Sequence, residues 1–441
     1  MGAHVHTARA SRRRAGLGAR VLGAVATTYL VALCIAIVVY KAVFVEMVVV
    51  DPFFSIYGLT VCAYILSRFF LSLFYRPGKG REPGFEPAVA VVMPAFNEED
   101  AIARSVQSLL DVDYPHDRLE VIVVDDGSTD GTPDEIARVE DDSDGRVHVI
   151  TFPENRGKRA AMAAGMRATD AEVLAFVDSD SVLEENALRT LVQGFADPDV
   201  GAVCGHADVF NTRESWLTRM QAVRYFVAFR VLKAAESIFG AVTCCSGCFA
   251  AYRREAILPH LDEWENQTFL GRPATFGDDR SLTNHVLRDW KVRYDSDAVS
   301  HTIVPHTFRQ FLTQQMRWKR SWTRESLIVG GFIWRKHPIA ALSTYVSIVL
   351  PLLAPIVVAR ALAWRPIVEG TGTPFIYLLG IYVLALVYGL YYAIRTRRYD
   401  DTLWVYGVIF VFFYLVFLVW QTYWALLTAS RSTWGTRPST A

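Results

Sequence analysis

Three acidic clusters carry the chemistry that this sequence offers: Asp125-Asp126-Gly127, Asp178-Ser179-Asp180 and Gly277-Asp278-Asp279-Arg280. Asp178 and Asp180 are one residue apart at the end of an apolar run. Alternate side chains of an extended chain share a face, so both carboxylates can address one hard cation. Mg²⁺ or Mn²⁺ suits the role, since such ions favour oxygen ligands and usually share phosphate groups with few carboxylates. The ion would neutralise charge growing on a departing diphosphate. A turn or cap explains an isolated D-x-D equally well; its place after a buried run is what favours the metal.

The other candidates each have two readings. Asp125 and Asp126 can accept hydrogen bonds from a nucleobase or ribose, or form an Asp-Gly turn. Asn97-Glu98 also follows an apolar run. Lys158, after Gly157, suits phosphate, or starts a solvated helix. One acid of the Asp278-Asp279 pair can act as general base towards a sugar hydroxyl, or both can serve a helix N-terminus. Arg317 can clamp phosphate and Trp318 can stack on a sugar ring, with Gln314 on the same helical stretch. The same stretch also reads as an amphipathic helix at a bilayer surface, and the two roles are compatible. Trp216 to Glu236 is a second candidate interfacial helix.

The elements that must position these residues alternate. Strands are expected at Ala88 to Met93, Val121 to Val124, Val147 to Thr151 and Val173 to Val177. Helices are expected at Asp100 to Leu110, Thr132 to Val139 and Lys158 to Thr169. Such alternation predicts an α/β domain with a parallel sheet covered on both faces. Ligands of these sheets bind beyond the carboxyl ends of the strands, where the acids fall.

The rest of the chain is apolar. Hydrophobic residues make up 52% of 441 residues, above the usual level for soluble proteins. Runs at Val21 to Tyr40 and Phe53 to Phe74 are each long enough for a membrane span. Ala341 to Leu362, Phe375 to Ile394 and Leu403 to Leu427 follow, and the last is longer than one span needs. Arg12 to Arg14 before the first run, and Arg76, Lys79 and Arg81 after the second, put the middle domain on the cytosolic side. Residues 1–20 are then a cytosolic tail, 21–75 a membrane hairpin, 86–325 the catalytic domain, 326–430 a second membrane region and 431–441 a cytosolic tail. Five or six passes fit. A net charge of +0 suggests no nucleic-acid partner. Six cysteines, including Cys245-Ser-Gly-Cys248, lack a second ligand pair for zinc and read as reduced thiols.

In this order and between these membrane segments, the clusters resemble the processive family 2 glycosyltransferases, and among them the single-chain bacterial hyaluronan synthases. "VIVVDDGS", "NRGKRAAM", "FVDSDS", "NQTFLGRPATFGDDRSLTN", "QQMRWKRSWTRES" and the terminal "WGTR" carry the likeness, which spans about Ile56 to Arg437. The resemblance implies a GT-A-like nucleotide-diphospho-sugar transferase domain with a mixed, mostly parallel sheet, joined to a helical membrane bundle with interfacial helices. It implies UDP-GlcNAc and UDP-GlcA as donors, a growing polysaccharide, membrane lipid around the bundle, and an inverting reaction at the plasma membrane. Asp125 and Asp126 would contact the uridine, with Asn97, Glu98 and Lys158 beside the nucleotide. Asp178 and Asp180 would hold the metal, Asp279 with Asp278 would supply the base, and Gln314, Arg317 and Trp318 would frame diphosphate and acceptor. Trp434 and Arg437 of WGTR would reach back to the diphosphate, which favours an even number of passes.

One departure bears on the product. Cys248-Phe249 stands where hyaluronan synthases usually have Pro-Leu, in a segment expected near the acceptor sugar. A chitin-like or other β-glucan synthase, a one-step lipid-phosphate glycosyltransferase and a non-catalytic transporter are the rival readings.

Overall fold

The computed structural model describes residues 52–370, 374–396 and 402–431, with a few isolated positions before them. Most of the first expected span, and all of Trp434 to Arg437, lie outside the described residues. The continuous part begins with an apolar helix, α1 (Pro52–Ser72), which leads into the α/β domain.

Strands β1 (Val89–Ala95), β2 (Leu119–Asp125), β3 (Val147–Thr151) and β4 (Val173–Phe176) pair in parallel in the order β3-β2-β1-β4. Side chains alternate across this half-sheet. Val89, Val91, Val121 and Val123 pack on Ile102, Val106 and Leu109 of α2 (Ile102–Leu110) and on Ile136 of α3 (Thr132–Asp141). Ala90, Val92, Ile122 and Val124 pack on Met162 and Met166 of α4 (Lys158–Arg167). Each fully buried valine or isoleucine contributes about 1.5–3 kcal/mol, so the register of this half is strongly specified.

The second half is mixed. β5 (Ser181–Leu183), β6 (Val200–Val209), β7 (Ala250–Arg253) and β8 (Lys291–Thr302) extend the sheet in the order β4-β7-β6-β8-β5. β7 runs antiparallel to both β4 and β6, while β8 is parallel to β6 and antiparallel to β5. The whole is a mixed, mostly parallel sheet. Between β6 and β7, α5 (Trp216–Val227) docks on the membrane helices: Phe226 packs on Tyr392, and Val223 and Val227 join the same cluster. Between β7 and β8, α6 (Asp278–Asp289) carries two of the acids at its start. Then α7 (Phe308–Gly330) carries Gln314, Arg317 and Trp318.

The remaining helices are α8 (Pro338–Ala359), α9 (Pro374–Thr396), α10 (Leu403–Phe413) and α11 (Gln421–Leu427). Among the described residues, Pro52–Ser72, Pro338–Glu369 and Tyr377–Ile394 are long and apolar enough to cross a membrane. Leu403–Leu418 and Gln421–Leu427 form a pair bent by 46° that counts as a fourth span if taken together. The overlong last run of the sequence is therefore a broken helix.

The exit of α1 is tied to the sheet by polar contacts. Tyr75 OH donates to the Tyr294 carbonyl at 3.0 Å and accepts from the Ser296 N–H at 3.0 Å. Arg81 Nε donates to Asp295 Oδ2 at 2.6 Å, and Asp295 is 5% exposed. Burial raises the pKa of Asp295, and Arg81 opposes that rise. Arg81→Ala leaves a buried carboxylate without its cation, and we expect a stability cost of about 3 kcal/mol, read as a lower melting temperature of the detergent-solubilised chain. Arg138→Ala, which breaks only the exposed Arg138–Glu135 pair, leaves the melt unchanged.

Candidate active site

The polar clusters gather beyond the carboxyl ends of β1, β2 and β4, as the sheet topology requires. Asn97 adopts a left-handed φ of 53°. Its Oδ1 accepts from the Thr129 N–H at 2.9 Å, and its own N–H donates to Ser128 Oγ at 3.0 Å. The Glu98 N–H donates to Thr132 Oγ1 at 2.7 Å. Asn97 and Glu98 thus clamp the loop after β2 onto the loop after β1. Asp125 Oδ1 accepts from the Ser128 N–H at 3.1 Å within that loop.

Asp126 does more local work than its sequence position suggests. Its carboxylate accepts the Arg156 N–H at 2.7 Å, the Gly157 N–H at 2.9 Å and Asn155 Nδ2 at 3.0 Å. Burial raises its pKa while these backbone donors pull the other way. The result is a fixed 155–157 loop that delivers Lys158 to the crevice.

Lys158 is the meeting point. Its Nζ pairs with Asp178 Oδ1 and stands 3.9 Å from Asp278 Oδ2. The tip of β4 and the start of α6 therefore share one ammonium. Burial opposes that charge, but Asp178, Asp278 and Asp279 outweigh it and raise the lysine pKa. Asp180 lies next along, with Oδ1 3.3 Å from Ser181 Oγ and 3.4 Å from Thr302 Oγ1. Burial and the Asp178 charge push its carboxyl up to about 6. Two crowded carboxylates, one resisting ionisation, form a donor set of hard oxygens that fits a divalent cation.

The floor of the crevice includes Gly247, where a Cβ would come within 3.0 Å of Asp178 Oδ1 and 3.3 Å of Lys158 Nζ. The Cys245–Cys248 segment thus lies directly under the charged groups. Asp279 Oδ2 accepts from Cys244 Sγ at 3.5 Å, and Oδ1 from the Arg280 N–H at 2.7 Å. Both acids of α6 stand where a helix N-terminus favours negative charge. Arg317 faces the same group: burial lowers its pKa, and Asp278, Asp178 and Asp279 counter the fall. Trp318 lies under the Arg224 guanidinium, 5.2 Å from its ring centroid. Gln314 lies one turn before Trp318 on α7. Lys319 and Arg320 donate to Thr422 at 2.8 Å and Thr428 at 3.0 Å. These two basic residues tie α7 to the last membrane helix.

A buried network behind the acids escaped the sequence reading. Glu325 of α7 is paired with Arg324 at 2.7 Å, and accepts from Gln267 at 3.2 Å and Asn284 at 2.9 Å. Gln267 Oε1 in turn accepts from Ser281 Oγ at 3.0 Å. The network locks α6 to α7, and hence Asp278 and Asp279 to Arg317. The available signal was that its members all lie in two of the family-like stretches, Gln267, Ser281 and Asn284 in NQTFLGRPATFGDDRSLTN and Arg324 and Glu325 in QQMRWKRSWTRES.

Gly277 is required on two counts. It has φ +81°, and a Cβ there would collide with Ser321 Oγ of α7. Gly277→Ala should cut catalytic turnover at least about tenfold, since left-handed strain of about 1–2 kcal/mol adds to the collision. The double variant Gly277→Ala/Ser321→Gly removes the collision and should recover part of the loss.

Residues 90–259 match the family described as glycosyl transferase family 2. The hyaluronan synthase of Streptococcus pyogenes is 35% identical over 388 residues, 87% of this chain and 90% of the relative. An N-acetylglucosaminyltransferase of Rhizobium meliloti is 36% identical over 318 residues, 70% of this chain and 74% of the relative. Among solved structures, a mannosyltransferase of Pyrobaculum calidifontis, determined in complex with GDP-Man and Mn²⁺, aligns with a TM-score of 0.54 at 24% identity. It covers 82% of this chain and 99% of its own, a likeness of fold. The mixed sheet is thus a GT-A-like glycosyltransferase fold, and with its match to the synthase running almost end to end, the chain belongs to the hyaluronan-synthase-like family 2 glycosyltransferases.

Proposed function

We propose that this enzyme polymerises UDP-GlcNAc and UDP-GlcA into hyaluronan at the cytosolic face of the plasma membrane and passes the polymer through its own helices. The observation that carries the reaction is the shared ammonium: Lys158 gathers Asp178 and Asp278 into one crevice that Asp279 also lines. Product identity rests on reach, since the match to the synthase covers 87% of the chain and that to the N-acetylglucosaminyltransferase 70%.

The residues divide the work. Asp125 and Asp126, with Asn97 and Glu98, shape the loops that receive the nucleoside. Asp126 also fixes the backbone ahead of Lys158. A divalent cation, Mg²⁺ or Mn²⁺, held by Asp178 and Asp180 would stabilise charge on the departing diphosphate. Lys158 and Arg317 supply positive charge to the same oxygens. Asp279 takes the proton from the acceptor hydroxyl as that oxygen bonds to the anomeric carbon. The carbon–oxygen bond to UDP breaks, with inversion. A positioned base of this kind is worth roughly 10²–10⁴ in rate. Trp318 and Gln314 flank the acceptor, and the family resemblance assigns Trp434 and Arg437, which lie outside the described residues, to the diphosphate. The Arg76, Lys79 and Arg81 cluster after α1 supports a cytosolic domain.

A chitin-like product is the second reading, favoured by Cys248-Phe249 in the segment under Asp178. Supplying purified protein with each UDP-sugar alone and both together separates the two. Polymer that needs both donors and dissolves under a hyaluronan-specific lyase is expected; growth from UDP-GlcNAc alone overturns the assignment. Asp180→Asn should remove most UDP release, while a transporter that only kept the domain would lose little.

A further inference from the structure

A second group of ligating side chains stands apart from the crevice. His260 ends the short turn Leu258–His260, Glu263 lies in the following helix Leu261–Glu265, and His285 is on α6. One ligand atom from each lies within 4.8 Å of the others. The two imidazoles stack with centroids 5.1 Å apart and planes 28° apart. His285 is 6% exposed, and its Nδ1 is buried without a hydrogen-bond partner. A buried polar atom with no partner carries a desolvation cost, and a metal bound at Nδ1 would remove it.

We propose that His260, Glu263 and His285 form a second metal site, for a borderline transition ion of the Zn²⁺ class, which staples the 261–265 helix to α6. Two imidazoles and one carboxylate suit such an ion, whereas the Asp178 and Asp180 carboxylates of the crevice suit a hard one. Zn–N bonds of about 2.0–2.1 Å require the ligand atoms to close in somewhat from 4.8 Å. Glu263 is exposed and His260 half-buried, so both can move. Water would fill the fourth position. Two guanidinium groups stand near: Arg159 donates to the Trp264 carbonyl at 2.8 Å and Arg288 stands over the Phe332 ring, and their charges favour the neutral imidazole of His285 that a metal requires.

The staple would act on the catalytic helix. Trp264, in the same short helix, donates Nε1–H to the Asp278 carbonyl at 3.2 Å. Fixing that helix to His285 therefore secures the start of α6 from both sides, so the bound metal should raise the melting temperature.

The test uses the full chain, purified in detergent without a polyhistidine tag and stripped with chelator, then titrated with Co²⁺ and Zn²⁺. The expected results are visible d–d absorption of imidazole-bound Co²⁺ and a rise in melting temperature on adding Zn²⁺. His260→Ala and Glu263→Gln, which alter accessible side chains, should keep UDP release in Mg²⁺ and weaken Co²⁺ binding at least about tenfold. No such absorption from the wild-type chain, or the same absorption and affinity in both variants, overturns the site.

Discussion

Crowding of like charge around a single ammonium is the constraint on which this structure turns. Asp178, Asp180, Asp278 and Asp279 converge from a strand tip and a helix start, and Lys158 is the cation between them. Bringing carboxylates together in a partly buried crevice is costly unless opposite charge is held there too. The protein meets the cost with a fixed lysine and a facing arginine, and retains enough acid to attract a divalent ion. Nearly every other polar device serves this arrangement. Asp126 spends its carboxylate on the loop that presents Lys158. Glu325, Gln267 and Asn284 hold the helix that presents Asp278 and Asp279.

The same logic joins the catalytic domain to the membrane helices. α7 carries Arg317 into the crevice and, within one turn, binds the last membrane helix through Lys319 and Arg320. α5 places Arg224 over Trp318 and packs Phe226 on α9. Tyr75 and Arg81 fix α1 to the edge of the sheet. The catalytic domain and the membrane helices are therefore fastened together at three places around the sheet.

Much of this was legible in the sequence, for identifiable reasons. β1, β2 and β4 are short apolar runs, almost wholly buried and each closed by a polar cluster, and the helices between them have clear apolar spacing. The acids at their tips follow from that topology. None of β5 to β8 was read; Lys291–Thr302 mixes charged and hydroxyl residues with few apolar ones and is specified by pairing with distant strands. The part played by Asp126 depends on backbone 30 residues away, and the Gln267–Glu325 contact spans 58. No local pattern announces either. Lys158 was ambiguous between a phosphate ligand and a solvated helix start; Gly247 and Asp178 pressing on it resolve where it points. The WGTR segment was named by resemblance alone and lies outside the described residues.

The most direct measurement is an experimental structure of the full chain with UDP and Mn²⁺, using anomalous scattering to locate the ion. The account predicts Mn²⁺ on Asp178 and Asp180, with the diphosphate within reach of both Lys158 and Arg317. Mn²⁺ away from these carboxylates, or a diphosphate bound out of reach of Lys158, would contradict it.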